Sequence, residues 1–143
     1  MTEARGCILR PSTMTARERG GGARTIPLVT RAIGSTGFMS GITVFAPGAS
    51  IPLHFHNCEE CVLLLEGHAV AEIDGVEHEV TAGEASFISA GVPHRFINAS
   101  SSEEMKIYWT YASLDATRTI VATGATRRIE DEHRTPPAPV ARA

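Results

Sequence analysis

At 143 residues the chain has room for one domain of ordinary size and little for a second. With 43% hydrophobic residues it can bury a core of its own, so a bound metal would serve chemistry or local order and need not rescue the fold. The net charge of −3, with Lys and Arg scattered, leaves no electrostatic footprint for nucleic acid and no polybasic patch for a lipid surface.

In chain order, residues 1–24 are rich in Arg, Gly, Thr and Ser and are expected to be a flexible arm, with translation starting at either Met1 or Met14. This arm lacks the continuous apolar run of a signal peptide, and no stretch reaches the ~18–20 apolar residues of a membrane span, so a cytoplasmic location is expected. Residues 25–124 form the expected folded domain. Thr25–Thr30 reads as an edge strand, where Pro27 is tolerated. Phe38–Phe45 alternates loosely and stops at Pro47-Gly48, and Glu60–Leu65 is apolar on both faces, which predicts a central strand. Ala69–Ile73 and Val76–Val80 flank Asp74-Gly75, a strong hairpin signal. Phe87-Ile88, Arg95–Asn98 and Met105–Tyr111 supply three further strands, and residues 125–143 are expected to be a disordered tail. Short strands punctuated by Gly and Pro make the fold all-β, a sandwich or a barrel, and periodicity alone does not choose between them.

Two clusters carry the chemistry. His54 and His56 are two apart, so in an extended segment both imidazoles face one way. Glu60 follows after a short polar break, where a hairpin can return its carboxylate beside them; Glu59 is the rival carboxylate by one residue of slip. Pro93 and Gly91 make a turn that places His94 at the start of a strand, with Phe96 and Asn98 on its face. Three imidazoles and a carboxylate form a mixed N/O set suited to first-row divalent metals, with positions left open for water or substrate.

At these residues the chain resembles the cupin superfamily. The family's first motif, G-x5-H-x-H-x3-E-x6-G, is matched by Gly48, His54, His56, Glu60 and Gly67. The second, G-x5-P-x-G-x2-H-x3-N, is matched by Gly83, Gly91, His94 and Asn98, with Ser89 standing where the family usually has proline. The resemblance implies a single jelly-roll barrel, also called a double-stranded β-helix. It also implies that His54, His56, Glu60 and His94 hold one divalent ion of iron, manganese, nickel, copper or zinc, and family spacing selects Glu60 over Glu59.

The remaining candidates have plainer readings. Cys58 and Cys61 form C-x-x-C, but no second pair exists for a four-cysteine zinc site, so they read as two small packed residues. His68, His78 and His133 are expected to face solvent, Arg95 to point away from His94, and Asn98 to support a turn. Ile42, Val44, Leu64, Phe96 and Trp109 are expected to form an apolar pocket above the metal, poor in acid–base groups, with Glu66 and Glu72 the inward carboxylates to check. That scarcity favours chemistry done by the metal, a dioxygenase first, over a lyase, isomerase or decarboxylase. The other class is a non-catalytic ligand-binding or sensing cupin. The partner expected is a small molecule, and a two-fold homodimer is expected through Thr25–Thr30 pairing onto a second copy.

Overall fold

The computed structural model describes residues 5–134. Two six-stranded antiparallel sheets face each other. The first is ordered β1 (Arg17–Gly20), β2 (Ala23–Pro27), β3 (Met39–Phe45), β10 (Met105–Tyr111), β5 (Glu60–Glu66) and β8 (Ala85–Ile88). The second is ordered β12 (Thr126–Arg128), β11 (Thr117–Ile120), β4 (His54–His56), β9 (His94–Asn98), β6 (His68–Ile73) and β7 (Val76–Thr81). A six-residue helix, α1 (Ile129–Arg134), closes the described chain. No described helix is long and apolar enough to cross a membrane. The chain switches sheets repeatedly, as a jelly roll requires, and the core lies between the inner faces.

The strands expected between Phe38 and Tyr111 are all present, and Asp74 and Gly75 both take positive φ (52° and 81°) in the hairpin joining β6 to β7. The termini depart from expectation. The arm through residue 24 contains all of β1 and the start of β2, and Leu9 and Met14 pack on Leu28, Ile42 and Val44. Thr25 pairs with Thr43 on one side and Arg17 on the other, so the sheet edge at that end belongs to β1. At the other end, β12 and α1 occupy part of the expected tail, fastened by the fully buried Ile129 and by Glu130 2.9 Å from both Arg31 and Arg128. Residues 135–143 of that tail lie outside the described chain.

These additions change which strand is buried on both faces. It is β3, every residue of which is buried, because the N-terminal segment covers its outer side. The apolar run in β5 exposes Cys61 and Leu65. Buried hydroxyls knit β2, β3 and β10: Thr25 and Thr43 are 2.9 Å apart, and the Trp109 indole N–H donates to Thr43 Oγ1 at 2.9 Å. As expected, Asn98 supports a turn, its amide donating to the carbonyls of Phe45, Ala46 and Glu103 while its Oδ1 accepts from Ser100 N–H.

Gly41 faces Trp109 across the β3–β10 ladder. A Cβ there would run into the indole ring and lie 2.8 Å from the Ile26 carbonyl oxygen. Gly41→Ala is predicted to cost about 1–3 kcal/mol in denaturant unfolding by overpacking. It should also shift the emission of Trp109, the only tryptophan in the sequence.

Candidate metal centre

Alternation along β4 turns His54 and His56 inward, and β9 places His94 directly opposite His54. These come from one sheet; Glu60, the first residue of β5, comes from the other, opposite Tyr111 on β10. All four are at least 94% buried, and the three imidazoles bring ring nitrogens within 4.8 Å of one another. Glu59 is exposed and lies outside this group.

Each imidazole is oriented by a backbone carbonyl. Nδ1 of His54 lies 2.7 Å from Pro52 O, that of His56 2.9 Å from Thr117 O, and that of His94 2.8 Å from Val92 O. A carbonyl only accepts, so all three rings carry their proton on Nδ1 and present Nε2 to the interior. His94 Nε2 lies 2.9 Å and His56 Nε2 3.3 Å from Glu60 Oε1. Burial, Arg118 and the neighbouring imidazoles push His54 down to about 2, which keeps it neutral. A carboxylate oxygen this close to Nε2 lone pairs is repulsive unless a proton or a metal ion lies between them. His56 Nε2 is also buried without a hydrogen bond. The set therefore fits a divalent metal, with carbonyl-anchored imidazoles in the arrangement metal ligands generally use.

The surroundings differ from the expected apolar pocket. The cavity beside these residues has a volume of about 30 Å³, and its walls include Phe96 and Trp109, as expected, but Thr43 and Phe45 in place of Ile42 and Val44. The reason is parity. With the N-terminal segment supplying a second apolar layer, β3 turns Ile42 and Val44 outward onto Leu28. Leu64 is in the core but away from the cavity. Glu66 and Glu72 point outside, paired with Lys106 and Arg95, so Arg95 does turn away from the site.

Titratable groups reach the cavity from the expected arm and tail and from β10 and β11 of the expected domain. Arg118 on β11 pairs with His56 in the ladder, its Nε 3.1 Å from Glu132 of α1, and Arg19 of β1 reaches the same carboxylate at 2.9 Å. Burial pushes the Tyr111 phenol well above its ordinary value, and its ring lies 4.6 Å from that of His56. His133, expected in solvent, lines the cavity with its ring 5.5 Å from Trp109 and its Nε2 buried and unpartnered. No motif marks these residues. The available signal was weak: Arg118 lies two residues from Ile120 in a Thr/Ile alternation. His68 and His78 are exposed as expected, and Cys58 and Cys61 are free thiols, half-buried and exposed.

Comparison with known proteins agrees with this geometry. The cupin domain model matches residues 41–111. Protein SchB of Streptomyces halstedii is 34% identical over 93 residues, 64% of this chain and 67% of that protein. The chain belongs to the cupin superfamily. This cupin is also 31% identical over 98 residues to the tetracenomycin polyketide synthase protein TcmJ of Streptomyces glaucescens, covering 68% of this chain and 66% of that one. Its fold matches the polyketide cyclase RemF from Streptomyces resistomycificus with a TM-score of 0.70 at 22% identity, over 87% of this chain and 85% of the other.

The half-buried His133 gives a pH signature. Burial, then Arg19, pushes its imidazole from 6.5 down to about 4, so the unfolded chain binds a proton the folded one refuses. Stability should rise with pH between those values and be fully present above 6.5. His133→Phe is predicted to remove up to about 3 kcal/mol of that dependence, measured as the difference between wild-type and variant unfolding free energies at pH 7 and pH 4.5.

Proposed function

We propose that this cupin is a metal-dependent enzyme that binds a small, oxygen-bearing substrate at His54, His56, Glu60 and His94 and activates one of its carbonyl groups without oxidising it. The observation that carries this reading is the convergence of anchored Nε2 lone pairs on a buried carboxylate. A divalent ion held there would supply Lewis acidity toward a substrate oxygen. The protein's own part is then to keep the imidazoles fixed, each turning Nε2 inward, through Pro52, Thr117 and Val92, and to exclude bulk water by the packing of Phe96, Trp109 and Tyr111.

The expectation of a dioxygenase rested on a cavity without acid–base groups. With His133, Tyr111, Arg19 and Arg118 on its walls, that ground is gone. Positive guanidiniums favour an enolate or carboxylate in the substrate, and a neutral imidazole can accept or donate a proton. Ring closure and elimination both use such groups. The relatives named for polyketide chemistry suit a substrate with several carbonyls, although the fold alone fixes no reaction.

The test is turnover of a panel of β-polycarbonyl, catechol, diketone and thiol substrates by metal-loaded protein under argon and under air. Product formation is predicted to be equal in both gases and abolished by a chelator. Oxygen consumed in step with substrate would replace this reading with the dioxygenase one, and tight binding without turnover would replace it with a sensor.

A further inference from the structure

The metal cavity, with about 30 Å³ of free space, has room for a small chelating end of a substrate but not for a larger body. On the other side of α1 lies a groove of about 800 Å³, within the size range of small-molecule sites. Its walls are largely apolar, with Met14, Pro27, Leu28, Ala32, Ile33 and Met39 among them. His133 lines both spaces.

That residue is also where the packing is incomplete. Its Nε2 is buried and unpartnered, an arrangement that folded proteins generally avoid. The helix bearing it is short, and beyond Ile129 it is held to the barrel chiefly by polar contacts such as Glu132 on Arg19 and Arg118.

We propose that the groove and the metal cavity are one substrate cleft, with His133 at the junction. The substrate class is a molecule with an extended apolar body, seated between the Met14 segment and the Arg31–Ile33 turn. Its oxygen-bearing end reaches past Trp109 toward the histidines and takes a hydrogen bond from, or gives one to, His133. This deepens the proposed function and rests on it. His133 is a substrate-contacting residue in this arrangement, and the groove sets specificity by the size of the apolar part.

The test uses full-length, zinc-loaded protein and two probes. Acetohydroxamic acid needs only the metal; 3-hydroxy-2-naphthoic acid adds a two-ring body to a chelating end. The two are expected to compete. Ile33→Arg and Ala32→Trp, both at the groove's surface, are expected to weaken the naphthoate by about tenfold or more and leave the hydroxamate within about twofold. His133→Phe, which keeps the stack on Trp109 but removes the ring nitrogens, should likewise weaken the naphthoate. Naphthoate affinity indifferent to both groove substitutions, or simultaneous binding of the two probes, would overturn the cleft while leaving the metal site intact. Failure of the hydroxamate to bind wild-type protein would instead bring down the metal reading, and the cleft with it.

Discussion

Three carbonyl–imidazole hydrogen bonds set the rest of the site. Pro52, Thr117 and Val92 each fix the tautomer of one histidine; Nε2 of His56 and of His94 faces the Glu60 carboxylate, and His54 clusters beside them. Without those bonds the rings could rotate or exchange protons, and any of them could donate to Glu60. With them in place, the interior holds facing electron pairs that a proton or a metal ion between them reconciles. The barrel therefore concentrates unfavourable electrostatics at one buried point, as sites built for a ligand commonly do.

The two sheets divide the labour. One sheet brings the imidazoles on β4 and β9 and the guanidinium of Arg118 on β11; the other brings Glu60, Trp109 and Tyr111. The carboxylate and the histidines meet only when the barrel is closed, which couples the site to the whole fold. The polar cap couples it further to both ends of the chain. Arg19 comes from the first strand and lines the metal cavity, and Glu132 of the last helix pairs with it at 2.9 Å. Breaking such a buried pair leaves an uncompensated charge, typically at a cost of about 3–5 kcal/mol.

The centre of the domain was legible because its signals are local. Alternation put His54 and His56 on one face, Asp74-Gly75 closed a hairpin, and the two motifs tied His94 and Glu60 to them. Asn98 read correctly as a turn support for the same reason. What escaped was set by distant contacts. Ile42 and Val44 face outward because Leu9 and Met14, far off in sequence, supply the apolar layer that receives them. His133 sits in a short, charged stretch whose composition reads as solvent, and only the docking of Ile129 into the core draws it inward. Arg19 and Arg118 were unreadable for a related reason: an arginine is buried only where a carboxylate meets it, and Glu132 lies 113 and 14 residues away.

The central claim is that a cation belongs among His54, His56, Glu60 and His94. Elemental analysis of the full chain, purified with neither added metal nor chelator and run beside His56→Ala, tests it most directly. Near-stoichiometric divalent metal in the wild type, lost in a variant that still folds, is the result predicted. Wild-type protein that stays metal-free after reconstitution with iron, manganese, nickel, copper and zinc in turn would contradict it.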